Sequence, residues 1–146
     1  MQAIHMSSDR AWAIDRLGEQ RIKEGAYMWQ SLLKSGIPIV NGTDVPVEPL
    51  NPIASFYASV TRKTLQGTPD EGYEPAEKMT REQALRSYTL DAAYGAFEEG
   101  IKGSITVGKL ADFTIYNQDL MKVAEKELLN TEIAMTIFGG EIVYTK

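Results

Sequence analysis

The apolar residues of this chain change their period once, near residue 100, and that change restricts the fold more than any other feature. Before it they recur at helical steps: Ile22, Ala26, Trp29 and Leu33 lie four, three and four residues apart, which lines them up on one face of a helix. After it they alternate. Phe113 and Ile115 are interleaved with Thr114 and Tyr116, and Ile133, Met135 and Ile137 lead to Gly139-Gly140, beyond which Ile142 and Tyr144 resume the pattern. A glycine pair between two alternating runs predicts a hairpin. The last third is therefore expected to be antiparallel β, after turns at Gly103 and Gly108.

The first hundred residues divide further. "QAIHM" at 2–6 reads as an opening strand, and 15–36, "DRLGEQRIKEGAYMWQSLLKSG", as one amphipathic helix ended by Gly36. "IPIVNGT" at 37–43 reads as a second strand, with Pro38 tolerable near its start. Strand, helix and strand of this length predict a right-handed crossover with parallel strands, hence an α/β fold. Asn51 and Pro52 fit the cap and first position of a helix that carries Ile53, Phe56, Tyr57 and Val60 on one face. Residues 65–79 read as an exposed loop. Thr80 and Gln83 then form a capping box opening a helix over 81–97, with Ala84, Leu85, Tyr88 and Ala92 facing inward. Trp12, Trp29 and Tyr88 are expected in the core.

At 146 residues with 43% hydrophobic content, the chain has the size and composition of one globular domain. A net charge of -5, a pI near 4.9 and no basic block argue against a nucleic-acid partner. No apolar run approaches about 18 residues and the first residues do not form a leader, so no membrane role is expected. The absence of cysteine excludes disulfides and thiolate chemistry and fits the cytoplasm. His5 is the single histidine, whereas a catalytic zinc site draws on about three protein ligands. A complete histidine-rich site would need residues from elsewhere.

Asp44 is the sharpest candidate. It ends the run "IPIVNGT" and is followed by Pro46, Pro49 and Pro52; it reads either as a turn residue or as a carboxylate that a strand delivers to an active site, to hold a metal or take a proton. A lone histidine such as His5 is more often structural than a ligand. Arg62, in "SVTRK", could clamp a substrate carboxylate or carbonyl with its fork of donors or form a surface ion pair. The acids at 70, 71, 74 and 77 read as a solvated loop and not as a metal site.

Three stretches carry a resemblance. "QAIHMSSDRAWAIDRLGEQRIKEGAYMWQSLLKSGIPIVNGTDVPVEPLNP", "TREQALRSYTLDAAYGAFEEGIKGSITVGKLADFTIYNQDL" and "IFGGEIVY" resemble the C-terminal portion of amidohydrolase family 3, in the branch that includes N-substituted formamide deformylase-like proteins. The resemblance implies a metal-dependent (β/α)8 barrel with a small composite β-sandwich. Residues 1–100 would be the last two β/α units and 101–146 the returning sandwich strands. It implies that Asp44 is the metal-coordinating, proton-accepting aspartate at the end of the eighth strand, and that His5, in an approximation of a family "QPxH" context, faces the substrate. The cofactor implied is a divalent metal, zinc foremost, and the substrate a small amide-like molecule whose carbon-nitrogen bond is hydrolysed by metal-activated water. The chain departs from the family pattern in having no HxH pair, no fourth-strand lysine context and no later histidines. These parts are expected upstream of Met1, so the chain alone is expected to be inactive, without stably bound metal, and to associate with itself or with the missing N-terminal portion. The competing expectation is a non-catalytic binding or assembly module that keeps the remnant of the fold.

Overall fold

The architecture follows the change of period, with helices first and a sheet last, in a computed structural model that describes all 146 residues. Six helices, α1 (Ile4–Leu17), α2 (Glu19–Gly25), α3 (Trp29–Lys34), α4 (Pro52–Thr61), α5 (Arg81–Tyr88) and α6 (Leu90–Gly95), precede three strands, β1 (Phe113–Tyr116), β2 (Ile133–Phe138) and β3 (Glu141–Thr145). Short 3-10 turns at Pro75–Glu77 and Glu125–Asn130 complete the set.

The central element is α4. Asn51 caps it by accepting from Ile53 N at 3.0 Å, and Pro52 occupies its first position, as its sequence predicts. Its residues are buried nearly all round: Ile53, Phe56, Tyr57 and Ala58, but also Ser55, Ser59 and Thr61. A polar group without water must be paired, and α4 does this partly within itself. Ser59 Oγ donates to Ser55 O and Thr61 Oγ1 to Tyr57 O, each at 2.8 Å, the back-bonding open to hydroxyls inside helices. Helices α1 and α5 and the 3-10 turn at Glu125–Asn130 pack around α4. Met6, Trp29, Ile39, Met79, Leu120 and Leu128 from those and neighbouring segments fill the core.

Several sequence expectations are corrected here. "QAIHM" is not a strand, because Ile4 onward is helical. The spacing of Ile4 and Met6 is that of a strand, and the deciding bonds are tertiary: Ala3 N donates to Asn41 Oδ1 at 3.1 Å and Ile4 N to Ser55 Oγ at 3.2 Å. The donors that a helix start leaves over are thus satisfied by residues distant in sequence, and Ala3 offers no side-chain cap. The expected single helix over 15–36 is interrupted at Gly18 (φ 78) and again at Tyr27 (φ 57). Its stripe survives the breaks, with Ile22 and Trp29 buried and Ala26 and Leu33 half-buried.

The expected strand "IPIVNGT" is extended but belongs to no sheet, and the parallel crossover does not form. A single rung of a parallel ladder remains: Met1 N donates to Val40 O, and Gly42 N donates to Met1 O at 3.0 Å. The partner segment becomes helical from Ile4, so the ladder does not continue. The helix expected over 81–97 is divided at Thr89 (φ -121, ψ -89) into α5 and α6, although its capping box of Thr80 and Gln83 is present. Trp12 is 74% exposed and is not a core residue, whereas Trp29 is.

The sheet matches its sequence. It is antiparallel in the order β1-β2-β3, and Phe113 faces Ile137 and Ile137 faces Ile142 across the strands. Gly139 (φ 58) and Gly140 (φ 86) both take the left-handed conformation, as a tight two-residue hairpin turn requires. Between α4–α6 and the sheet lies an open, mainly apolar cleft of about 1040 Å³, bordered by Phe56, Leu85, Leu90, Phe113, Ile137 and Phe138.

The segment after α4 is less free than its composition suggests. Tyr73 N donates to Arg62 O at 2.7 Å, and a side chain on Gly72 (φ +78) would meet Thr61 O at 2.1 Å. Gly67 has a similar φ of +84 with open space around it. Gly67→Ala is therefore expected to cost about 1 kcal/mol, from the left-handed backbone alone. Gly72→Ala should cost about 3 kcal/mol or more, because the backbone must also move. Urea denaturation of the two variants separates these terms.

Candidate functional site

The two candidate residues closest to chemistry, His5 and Asp44, are brought to one end of the helical part by a buried amide that the motifs did not single out. Asn41 is 7% exposed. Its Oδ1 accepts from Ala3 N and from Gly42 N, both at 3.1 Å, and its Nδ2 donates to Ser59 Oγ at 3.1 Å. Its backbone N donates to Ser87 O at 3.1 Å. One residue thus joins the start of α1, the extended segment 37–43, α4 and α5. His5 lies two residues after one of these anchors and Asp44 three residues after Asn41 itself.

Asp44 is exposed and sits in a left-handed conformation (φ 58), and its carbonyl accepts from Val47 N at 2.8 Å. Aspartate tolerates that conformation better than most residues because its short polar side chain can bond locally. The segment beyond it touches α1, where Ser8 Oγ donates to Glu48 Oε1. Ser8 is three positions after His5 and on the same helix face, so His5 and the residues following Asp44 share one neighbourhood. His5 is half-buried, and its Nε2 is buried with no protein partner.

Arg62 lies elsewhere. It is 1% exposed, so the surface ion pair considered from sequence does not form. It ends α4 in a left-handed conformation (φ 56). Its Nε donates to Tyr73 O and its Nη1 to Tyr27 O, the latter at 2.8 Å. Its guanidinium lies 4.5 Å from the centre of the Trp29 ring and 5.7 Å from that of Tyr73. Burial pushes its pKa down to about 10, against the opposing pull of Glu77 and Tyr73. Nη2 alone has no partner. Two of the five N–H groups of the guanidinium thus donate to main-chain carbonyls, and the one to Tyr73 ties the end of α4 to the segment after it.

Glu77 corrects another expectation, since it is not a solvated loop acid. It accepts from Ser31 Oγ at 2.6 Å and from Ser31 N at 3.0 Å, near the start of α3, where a carboxylate is favoured by the free N–H groups. Burial alone would raise its carboxyl, but the bonds from Ser31 and Gln30 outweigh that and hold it below the usual carboxylate range. Tyr88, at the edge of the cleft, has its phenol pushed up to about 12, chiefly by burial.

No group of three His, Cys, Asp or Glu side chains converges anywhere in the molecule. His5 and Asp44 supply one imidazole and one carboxylate, fewer than the three protein ligands typical of a catalytic zinc. These 146 residues do not by themselves fit a complete metal site. The apolar cleft includes neither residue, nor Arg62, so that cleft and the candidate chemistry are separate.

Comparison with known proteins gives this arrangement a context. A family model described as "Amidohydrolase family" matches residues 1–144. The chain belongs to the amidohydrolase family. It is 34% identical to the Bacillus subtilis protein YtcJ over all 146 residues, which is 27% of YtcJ. It is 29% identical to the N-substituted formamide deformylase of Arthrobacter pascens over 129 residues, covering 88% of this chain and 23% of the enzyme. Among solved structures it is similar to an uncharacterized metal-dependent hydrolase from Pyrococcus furiosus, with TM-score 0.68 and 32% identity over 83% of this chain and 23% of that one. Another such hydrolase, from Pyrococcus horikoshii OT3, gives TM-score 0.69 and 26% identity, over 86% of this chain and 25% of that one. The chain spans about a quarter of the length of these relatives.

The positioning role of Asn41 is not legible in the sequence, where it reads as part of the strand "IPIVNGT" and nothing local reports that its amide will be buried. Ser55 and Ser59, four apart on an otherwise apolar helix, were the available signal. Asn41→Ala is expected to cost about 1–3 kcal/mol, since the buried Ala3 N loses its acceptor whereas Gly42 N keeps Met1 O. Asp44→Asn, at an exposed position, should change stability by no more than about 0.5 kcal/mol. Urea denaturation of the 146-residue chain measures both.

Proposed function

We propose that this chain carries the Asp44-bearing part of a metal-dependent hydrolase that cleaves a carbon-nitrogen bond in a small amide-like substrate. In this reading residues 1–100 correspond to the last two β/α units of a (β/α)8 barrel and 101–146 to part of a composite β-sandwich. The observation that carries it is the placement of Asp44 at the end of the extended segment 37–43, with His5 held nearby through Asn41, in a chain matched to the amidohydrolase family along nearly its whole length. Strand ends are where barrels of that kind place their chemistry.

Within this reading Asp44 serves as a metal ligand and as the acceptor of the proton released when water attacks, a task suited to an exposed carboxylate free of competing partners. His5 faces the substrate, where its unpartnered Nε2 has a hydrogen bond to offer or accept. The metal is divalent, zinc foremost, with its remaining ligands outside these 146 residues. Arg62 was a candidate for binding substrate, but its burial against Trp29 and Tyr73 favours a structural role. No helix is long and apolar enough to cross a membrane, and the absence of cysteine suits a cytoplasmic setting.

Apolar surface remains to be covered. Phe97, Ile105, Val107 and Phe138 are 68% exposed or more, and exposed apolar patches of this kind mark interaction surfaces. Their occupant in this reading is the missing N-terminal portion or, failing that, a second copy of the chain. The same surface is what favours the second reading, a non-catalytic binding or assembly module. Light scattering is expected to show the chain alone as a dimer or larger species, and a stable monomer would count against uncovered interfaces.

The decisive experiment adds the missing N-terminal portion, fused or coexpressed, and measures amide hydrolysis with zinc. The 146-residue chain alone is expected to give no turnover, and the completed protein to be active. Asp44→Asn should then reduce kcat by at least about a hundredfold with folding intact. Near-normal turnover of Asp44→Asn would end the catalytic assignment, and a completed protein without hydrolysis would favour the module.

A further inference from the structure

Asn41 is followed by Gly42, and this is the pair of residues in which a side-chain amide is most easily lost. The glycine nitrogen attacks Asn41 Cγ as its proton passes to hydroxide. The Cγ–Nδ2 bond breaks, the nitrogen leaves as ammonia, and a five-membered cyclic imide remains. Water then opens the ring at one of its two carbonyls, giving aspartate or its β-linked isomer. No electrons are exchanged, and water is the only other reactant.

The fold arranges this pair so that the reaction cannot begin. Gly42 N donates to Asn41 Oδ1 at 3.1 Å and to Met1 O at 3.0 Å. Such bonds lie in the plane of the peptide, whereas the electrons that must attack Cγ are perpendicular to it. Bringing them onto Cγ requires the side chain to turn, which breaks the bonds of Oδ1 to Ala3 N and of Nδ2 to Ser59 Oγ. Both lost bonds are buried and costly. Of the other asparagines, Asn51 precedes Pro52, which has no N–H, and Asn117 and Asn130 precede the bulkier Gln118 and Thr131.

We propose that Asn41–Gly42 is a deamidation site held shut by the fold, which converts when the contact between the start of α1 and residues 40–42 opens. Conversion is self-locking. A carboxylate at 41 cannot donate to Ser59 Oγ, whose own hydrogen is already given to Ser55 O, and the β-linked product adds an atom to the main chain three residues before Asp44. The modification would remove the bond that fastens residue 41 to Ser59 of α4. This inference rests on the hydrogen-bond network alone and is independent of the proposed activity.

The test incubates the 146-residue chain at mildly alkaline pH with and without denaturant, follows folding by circular dichroism, and weighs each asparagine-containing peptide by mass spectrometry. In denaturant Asn41 should convert well ahead of Asn117 and Asn130. In buffer its conversion should be at least about tenfold slower, because it requires local opening. Ser59→Ala, which removes the acceptor of Nδ2, should speed conversion in buffer and leave the rate in denaturant unchanged. Gly42→Ala should suppress conversion in denaturant; it is expected to fold, since a Cβ there meets nothing within 4 Å and the backbone has no positive φ. Equal rates with and without denaturant, faster loss at another asparagine, or no effect of Ser59→Ala in buffer would each overturn the proposal.

Discussion

The requirement that a buried amide find all its partners governs the helical part of this molecule. Besides its neighbour Gly42, Asn41 reaches Ala3, Ser59 and Ser87, which lie on separate segments, and the network holds only if these arrive together. An unsatisfied buried amide costs more than a satisfied one contributes, so this residue selects among packings more than it adds to stability. Ile4 N on Ser55 Oγ and Ser59 Oγ on Ser55 O extend the same network into α4. The position of His5 relative to Asp44 is a consequence of these bonds.

A second buried group organises the C-terminal end of α4. Arg62 has no carboxylate in hydrogen-bonding contact; it donates to main-chain carbonyls and lies against aromatic faces. A cation at a helix C-terminus is favoured by the carbonyl ends of the helix, and the rings of Trp29 and Tyr73 supply a further attraction where water is excluded. Together with Glu77 at the start of α3 and Gly72 against Thr61 O, it fastens residues 63–79 to the helices. That stretch, rich in glycine, proline and acids, is thereby ordered without regular secondary structure. The two buried polar centres share α4 as their common support.

The sheet is attached more loosely. Tyr116 packs against the core, as does Val123 beyond it, but β3 is exposed along its whole length and the cleft beneath the sheet remains open. Strands in which apolar residues face solvent on both sides ordinarily have further layers against them. This asymmetry agrees with a chain that corresponds to about a quarter of its relatives' length. It also separates the regions that stabilise the helical core from those available for association.

Where a signal was local, the sequence by itself determined the structure. Asn51-Pro52, Thr80 with Gln83, the alternation in β1 and β2, and Gly139-Gly140 act over a few residues through caps, turns and side-chain alternation, so their outcome can be read before folding. Family membership was likewise legible in the ordered motifs, whereas the roles of Asp44 and His5 rest on likeness. Only the tertiary structure decided that "QAIHM" starts a helix, that "IPIVNGT" lies extended without a ladder, and that Arg62 is interior. Each depends on partners outside its own segment: Asn41 and Ser55 for Ala3 and Ile4, a neighbouring strand that 37–43 does not have, and the rings of Trp29 and Tyr73 for Arg62. Hydrogen-bonding capacity is written in a residue's chemistry, but its satisfaction depends on which other groups the fold brings within reach.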